Sequence, residues 1–182
     1  MTEVYVFLAD GFEEIEGLTV VDLLRRAGIE VQTVSIMEST LIHGSHGIEV
    51  KADLLFEEMS ADAVQMLVLP GGMPGTTHLG AHEGLTTLLR EQAAAGRQIA
   101  AICAAPTVLG QLGLLKGKTA VCYPGLEEKL TGASVTTNPV EICQNVTTSR
   151  GMGTAIPFGL SLVAQLRGEE IADKLAKSIV FA

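Results

Sequence analysis

The apolar residues of this chain alternate between short continuous runs and longer stretches with helical spacing. Residues 4–8 form a continuous apolar run, which predicts a buried strand. The turn Asp10-Gly11 follows, and apolar residues then recur at helical spacing from Ile15 to Leu24, up to a stop at Ala27-Gly28. The chain therefore begins with a predicted strand–turn–helix unit.

The same alternation continues along the rest of the chain. Residues 41–51, which contain Gly44 and Gly47, predict a small hairpin. Continuous apolar strands that are joined by helices indicate an α/β sandwich with a mostly parallel sheet. The remaining predicted strands are 31–36, 54–56, 65–69, 98–102, 118–122, 134–136 and 145–148, and the remaining predicted helices are 83–95, 104–109, 154–166 and 169–177.

Three loops that follow predicted strands carry the most unusual residues of the chain. They are residues 10–16, 70–75 and 103–106. In open sheets of this kind, ligands bind beyond the carboxyl ends of the strands. We therefore predict that these loops lie side by side at one edge of the sheet and form the functional site.

Length and composition narrow the class of protein. A chain of 182 residues is close to a typical domain of about 150, so we predict one domain over residues 1–182. Twelve basic and 21 acidic residues give a net charge of −9, which argues against nucleic acid or an acidic membrane surface as a partner. Hydrophobic residues make up 47% and charged residues 18%, which excludes intrinsic disorder and suggests an apolar surface covered by a second copy of the chain.

The first residues and the longest apolar runs bear on the compartment. The N-terminal apolar run is short and has no basic segment before it, so no signal peptide is predicted. No run approaches the roughly 18 apolar residues of a membrane span. We therefore expect a cytoplasmic protein with no membrane partner.

The three cysteines have different surroundings. Cys103 lies where a buried strand meets a helix that contains Pro106 in its first turn, and its neighbours are small, as in a nucleophile elbow. A thiol at a helix start is expected to have a lowered pKa, and amides there and in the Gly71-Gly72 loop can hold an oxyanion. Simple packing of a buried cysteine is the alternative for Cys103, and it is the interpretation for Cys122 and Cys143.

The acidic cluster after the first turn has two interpretations. Glu13 and Glu14 are explained as exposed carboxylates that interact favourably with the dipole of the first helix. Glu16 lies between Ile15 and Leu18, where partial burial would raise its pKa and allow it to carry a proton. From periodicity alone, both interpretations stay open for Glu16.

Several motif-like features are rejected. Residues 113–119 imitate a phosphate loop, but the glycines are one residue too close and a strand follows instead of a helix. His78 and His82 are four residues apart without a third ligand, so a solvated surface pair is preferred to a metal site. His43 and His46 flank a glycine turn and receive no role. No metal and no cofactor is predicted.

Five motifs, spread in order over nearly the whole chain, resemble those of the ThiJ/PfpI superfamily and, within it, the branch of the parkinsonism-associated protein DJ-1. They are ADGFEEIE at 9–16, VDLLRRAG at 21–28, LPGG at 69–72, IAAICAAPT at 99–107 and TSRGMGT at 148–154. The resemblance implies a flavodoxin-like three-layer sandwich, similar to class I glutamine amidotransferases. It also implies a homodimer in which the first helix, with Arg25 and Arg26, lies near the partner.

The resemblance also implies roles for individual residues. Cys103 would be the nucleophile and Glu16 the carboxyl group that is hydrogen-bonded to it. Gly72 and Ala104 would supply backbone amides to an oxyanion or to an oxidised sulfur. Two departures matter: Ala104 stands where protease-like members have His, so peptidase activity is not expected, and Tyr123 stands where the parkinsonism-associated protein has a His near the thiol. Tyr123 is a substrate-pocket candidate, but a phenol with a pKa near 10 is a poor base.

Two functions are implied. The first is a cofactor-independent glyoxalase III- or deglycase-type hydrolase or lyase, which acts on reactive dicarbonyls such as methylglyoxal or on their glycated protein adducts. The alternative is a redox sensor or chaperone-like protein that acts under oxidative stress through oxidation of Cys103, without significant turnover. Thiazole biosynthesis, a label given to similar chains, has no counterpart in these residues and ranks last.

Overall fold

The computed structural model describes residues 2–60 and 64–181, in which strands and helices alternate. The strands are β1 (Val4–Leu8), β2 (Val31–Ser35), β3 (Leu41–His43), β4 (Glu49–Lys51), β5 (Leu54–Leu55), β6 (Met66–Leu69), β7 (Gln98–Ile102), β8 (Thr119–Ala120), β9 (Ser134–Val135), β10 (Val140–Cys143) and β11 (Val146–Ser149). The helices are α1 (Glu14–Arg26), α2 (Gly75–Ala81), α3 (Glu83–Ala94), α4 (Pro106–Gln111), α5 (Ala155–Arg167) and α6 (Glu169–Ser178).

Seven of the strands form one sheet in the order β10-β11-β7-β6-β1-β2-β5. All neighbours are parallel except β10, which runs antiparallel to β11 at one edge. Helices cover both faces. The predicted α/β sandwich with a mostly parallel sheet is confirmed.

Two apolar cores, one on each face of the sheet, hold the layers together. Val4, Val6 and Leu8 of β1 point to the face covered by α1, α5 and α6, and Tyr5 and Phe7 point to the face covered by α2, α3 and α4. Because successive strand residues point to opposite faces, a strand that is covered on both sides must be apolar throughout. This explains the continuous apolar run at the start of the chain.

The structure differs from the sequence prediction in three places. The helix α2 was not predicted, because its residues are small or polar apart from Leu79. The antiparallel strand β10 was also missed. The strand predicted at 118–122 is only two residues long, and it pairs with β9 in a separate small sheet. After Ala120 the Val121 N–H donates to the Thr148 hydroxyl and not to a neighbouring strand.

The three loops predicted to share one edge of the sheet do lie together. The strands β1, β6 and β7 are adjacent and parallel, so their carboxyl ends are neighbours. The Glu13 N–H donates to the Gly71 carbonyl over 2.9 Å, which joins the first two loops. A Cβ built at Gly71 would lie 2.6 Å from Cys103 Cβ, so the third loop is in contact as well. This edge is where the candidate chemistry is concentrated.

The length and apolar content of the helices decide whether one of them could span a membrane. Within residues 2–60 and 64–181, none of them combines the length and apolar character that crossing a bilayer requires.

Candidate active site

Cys103 follows the end of β7 in an unusual backbone conformation. Its φ of 66° lies in the left-handed region, which a residue with a Cβ adopts only at a cost of about 1–3 kcal/mol. Two main-chain hydrogen bonds hold it there: its N–H donates to Ser149 O over 3.0 Å, and its carbonyl accepts from the Tyr123 N–H over 2.8 Å. The backbone therefore fixes the position of the sulfur, as the nucleophile-elbow interpretation requires.

Glu16 lies in the first turn of α1 with its carboxyl group buried beside Cys103. The residue is 1% exposed, and Oε2 accepts a hydrogen bond from the Gly71 N–H over 2.9 Å. The other oxygen, Oε1, is buried and has no hydrogen-bonding partner in the described part of the chain. The interpretation of Glu16 as a buried acid is the one that the geometry favours.

Gly71 makes this arrangement possible because it has no side chain. A Cβ at this position would lie 2.6 Å from both Cys103 Cβ and Glu16 Oε2, closer than real atoms approach. Gly72 is constrained in another way: its φ is +90°, and a Cβ there would lie 2.3 Å from the Glu13 nitrogen. Both glycines of the LPGG motif are therefore required by local geometry.

Burial shifts the pKa of both groups. It raises the pKa of Glu16 from 4.5 to about 7, assisted by the charge of Glu13 and opposed by the neighbouring Cys103 thiol and the Gly71 amide. It raises the pKa of the Cys103 thiol from 9.0 to about 12, assisted by the Glu16 carboxylate and opposed by the amides of Gly72 and Ala104.

The predicted lowering of the Cys103 pKa is therefore wrong for the free site. The helix that was expected to lower it, α4, has only six residues and begins at Pro106, beyond the cysteine. A dipole effect of this kind falls off within the first turn. Burial and the negative charge of Glu16 outweigh it.

The two groups nevertheless can produce a nucleophile together. If the Cys103 proton moves to Glu16, the net charge of the pair is unchanged, and the carboxylate no longer repels the sulfur. The resulting carboxylic acid can donate a hydrogen bond to the thiolate, as can the amides of Gly72 and Ala104, which face the sulfur. The same two amides can stabilise an oxyanion on a carbon bonded to the sulfur.

Tyr123 lies at the border of the site, next to Gly151. Its side chain is 53% exposed, and its ring lies against Gly151. A cavity of about 750 Å³ begins at Met73 and Ala104 and runs between α2 and α4 towards Lys129, but neither Cys103 nor Glu16 lines it. The reactive pair thus lies beside this large cavity, not inside it.

The acidic residues next to the site do more than compensate a helix dipole. Glu14 is 3% exposed, which corrects the prediction of an exposed carboxylate. It accepts the His46 N–H over 2.8 Å, and His46 Nδ1 lies 3.1 Å from its other oxygen. Burial alone would raise the pKa of Glu14, but the hydrogen bonds from His46 and Ile48 lower it to about 2. These contacts between His46 and Glu14 attach the β3–β4 hairpin to α1.

Two of the other histidines, His43 and His82, have structural contacts. His43 Nε2 lies 3.2 Å from Glu49 Oε1 across the same hairpin. His82 is not simply solvated: its Nδ1 accepts the Leu85 N–H over 3.0 Å at the start of α3, and its ring packs on Phe56 with centroids 4.5 Å apart. Among the described residues, Glu13, Glu14 and His46 are the one group of three with metal-ligating side chains close together, and the hairpin contacts account for it.

Similarity to known proteins extends over nearly the whole chain. A family model described as "DJ-1/PfpI family" matches residues 2–165. "Protein dj-1beta" of Drosophila melanogaster is 36% identical over 179 residues, which cover 97% of this chain and 96% of that protein. "Protein DJ-1 homolog A" of Arabidopsis thaliana is 37% identical over 97% of this chain, and the match spans 46% of that relative. The chain therefore spans less than half the length of this plant relative.

One further relative and one solved structure are also similar to this chain. "Deglycase PYRAB04690" of Pyrococcus abyssi is 34% identical over 133 residues, which cover 72% of this chain and 78% of that protein. The solved structure "Toxoplasma gondii DJ-1, oxidized" is 36% identical, superimposes with a TM-score of 0.96 and covers 100% of both chains. The structural likeness covers the whole chain, including the loops that meet at Cys103.

The raised pKa of Glu16 predicts a specific dependence of stability on pH. The folded chain keeps this proton up to a pH of about 7, whereas the unfolded chain loses it near 4.5. Below pH 4.5 Glu16 is protonated in both states and does not change the free energy of unfolding. As the pH rises from 4.5 to 7, the free energy of unfolding falls by up to about 3 kcal/mol. Urea unfolding of the wild type between pH 5 and 8 should show this loss, and Glu16→Gln should not. Parallel curves for the two proteins would contradict the buried acid.

Proposed function

The chain belongs to the DJ-1/PfpI family, and we propose that it acts through Cys103 on reactive dicarbonyls such as methylglyoxal, or on their protein adducts. The observation that carries this proposal is the buried Glu16 carboxyl beside Cys103, with a pKa of about 7. A group that titrates near neutrality can both accept and return a proton during one reaction. This makes the pair suited to isomerisation of an aldehyde bound to sulfur.

The proposed reaction with methylglyoxal needs three steps. Glu16 accepts the Cys103 proton, the thiolate adds to the aldehyde carbon, and the oxyanion, held by the amides of Gly72 and Ala104, takes that proton from Glu16 to give a hemithioacetal. The Glu16 carboxylate then removes the proton from this carbon and returns it to the neighbouring carbonyl carbon, while the hydroxyl proton passes to the neighbouring oxygen, which leaves a thioester of a hydroxy acid. Water hydrolyses the thioester, releases lactate and restores the thiol. The balance is methylglyoxal plus water giving lactate, so no cofactor is required.

Two further observations support this class of reaction. A relative that covers most of this chain is named as a deglycase. Ala104, which follows the nucleophile, supplies no side-chain base for attack on a peptide bond, and Tyr123 is an exposed phenol at the rim of the site. We therefore propose a glyoxalase- or deglycase-type hydrolase or lyase and not a peptidase.

A second function uses the same pair in another way. Two peroxide molecules can add two oxygens to the Cys103 thiolate, which gives a sulfinate and two water molecules. The protonated Glu16 and the amides of Gly72 and Ala104 can donate hydrogen bonds to that charged product. The protein would then be a redox sensor or chaperone-like protein that responds to oxidative stress. One similar solved structure is that of an oxidised protein, DJ-1 of Toxoplasma gondii.

We also propose that the chain forms a homodimer through α1. Leu18 is 36% exposed, and it lines a shallow cavity with Arg26 and Ile156 of α5. Ile15, one turn earlier, is 49% exposed. Apolar side chains grouped on one helix face are typical of a surface that a partner covers.

We also propose a cytoplasmic location. The three cysteines are free, and a reducing compartment keeps thiols in that state.

If the proposed reaction is correct, Cys103→Ser and Glu16→Gln should each lower lactate formation from methylglyoxal at least about 100-fold, because one removes the nucleophile and the other the proton carrier. Lactate is measured with an enzymatic assay at pH 7. Cys122→Ser and Cys143→Ser are matched controls that should retain wild-type rates. Wild-type rates in Cys103→Ser or Glu16→Gln would exclude this site as the catalyst.

The redox function predicts selective oxidation. Mild peroxide should add two oxygens to Cys103 alone, as seen by intact mass and peptide mapping. In Glu16→Gln the sulfinate loses its strongest hydrogen-bond donor, so oxidation at Cys103 should continue to the sulfonate or become unselective. Equal oxidation of all three cysteines in the wild type would count against this function.

The dimer proposal predicts that Leu18→Glu places a charge in the interface and yields a monomer. Sedimentation equilibrium of the wild type should give twice the chain mass. Val135→Glu, at an exposed apolar residue in β9, is the matched control and should remain dimeric. A wild type that sediments as a monomer would exclude the homodimer.

A further inference from the structure

We propose that the cavity between α2 and α4 binds the carbon chain of the dicarbonyl, and that this chain carries hydroxyl groups, as in an α-oxoaldehyde derived from a sugar. The inference rests on the proposed function and deepens it, because it names the class of dicarbonyl that the site selects. The sugar-derived 3-deoxyglucosone, with six carbons, represents this class. Methylglyoxal, with three carbons, has only a methyl group in place of the chain.

The α2–α4 cavity begins one residue from the nucleophile. Its volume is about 750 Å³, and Ala104 and Met73 line it at this end. These residues directly follow Cys103 and Gly72 in the chain, and the amides of Gly72 and Ala104 face the sulfur. Since consecutive Cα atoms are about 3.8 Å apart, a chain on a carbon bonded to the sulfur reaches the cavity within about three carbon–carbon bonds.

Two other sides of the reactive pair are filled by protein. At Gly71, a Cβ would lie 2.6 Å from both Cys103 Cβ and Glu16 Oε2, so no group fits between them. At Gly151, a Cβ would lie 3.3 Å from Tyr123 Cδ2, which is already a tight contact. The α2–α4 cavity is thus the space beside the nucleophile that can take a long substituent.

The lining of the cavity combines apolar walls with accessible hydroxyl and amide groups. Val108 and Leu126 belong to the apolar part, and the exposed residues Thr77, Gln111 and Thr131 lie among them. Ligand sites typically hold a carbon skeleton against apolar surface and select it through a few polar groups. Hydroxyl and primary amide groups both donate and accept hydrogen bonds, as the hydroxyl groups of a sugar-derived chain do.

The charges of the cavity favour an uncharged chain. Glu128 and Lys129 line it together, so the two side chains add no net charge. The protein as a whole carries a net charge of −9. A phosphorylated or carboxylated chain would therefore meet no excess of positive charge, whereas neutral hydroxyl groups need none.

Gly80 of α2 sets the width of the cavity. A Cβ at this position would lie 3.5 Å from Val108 Cγ2 and 3.6 Å from Gln111 Oε1, which are ordinary van der Waals contacts with α4. A side chain at residue 80 would therefore extend across the cavity from α2 to α4. A large side chain there would fill the space that we assign to the substrate chain.

The reaction of such a substrate is the one proposed for methylglyoxal. The aldehyde carbon of 3-deoxyglucosone is oxidised to a carboxyl group, the neighbouring carbonyl carbon is reduced to an alcohol, and one water molecule is consumed. The product is a 3-deoxyhexonic acid, so the balance needs no external oxidant or reductant.

The test compares kcat/KM for methylglyoxal, 3-deoxyglucosone and 2-oxohexanal, which has six carbons but no hydroxyl groups on its chain. Loss of each α-oxoaldehyde is measured at pH 7 as its quinoxaline derivative. Gly80→Phe should lower the values for both six-carbon substrates at least about tenfold, with a smaller effect on methylglyoxal. Gln111→Met and Thr131→Val should each lower the value for 3-deoxyglucosone alone by about fivefold, because each removes one hydrogen-bonding group.

Ala94→Phe is the matched control, because it adds the same ring in a separate cavity beside Gly96 and Gln98, and it should change none of the three values. Alkylation of Cys103 by iodoacetamide should have the same rate in every variant, which shows that the reactive site is intact.

If methylglyoxal is turned over but 3-deoxyglucosone is not, or if Gly80→Phe leaves the ratio of their values unchanged, the cavity assignment is wrong and the proposed function stands. In Gln111→Met and Thr131→Val, no loss, or an equal loss for 2-oxohexanal, would overturn the hydroxylated class. A wild type that turns over none of the three substrates would contradict the proposed function, and the inference fails with it.

Discussion

The burial of one carboxyl group against one thiol is the constraint on which this site depends. Glu16 follows β1 and Cys103 follows β7, on either side of β6, and they meet because Gly71 between them has no side chain. Burial raises the cost of charging both groups, and the Glu16 carboxylate adds to the cost of charging Cys103, so the pair holds its protons more tightly than the two groups would in water. The shared proton, and not an acidic thiol, is the reactive property of the site.

The fold serves this pair through the order of its strands. The three central strands β1, β6 and β7 end at the same edge, and each contributes one part: the acid, the glycine loop and the cysteine. The glycine loop is held by main-chain hydrogen bonds, for example between Glu13 and Gly71. On the outside, the Glu14–His46 contact attaches the hairpin to the same helix that carries the acid.

Much of this could be predicted from the sequence, and the limits have physical reasons. The continuous apolar run at 4–8 and the helical spacing after it identify a buried parallel strand and its helix, and parallel strands bring their following loops together. The burial of Glu14 could not be predicted, because its partners His46 and Ile48 are distant in sequence. The direction of the Cys103 pKa shift depends on burial and on the charge of Glu16, which only the tertiary structure supplies. α2 lacks the apolar periodicity that would have revealed it.

The main-chain anchoring of Cys103 has a consequence for how such a site can diversify. Its N–H and carbonyl are bound by Ser149 and Tyr123 through backbone atoms alone, so the sulfur keeps its place whichever side chains those positions carry. Mutation at the rim can then alter selectivity without displacing the reactive atom. The side chain at position 123 can therefore change without altering the main-chain contacts that fix the nucleophile.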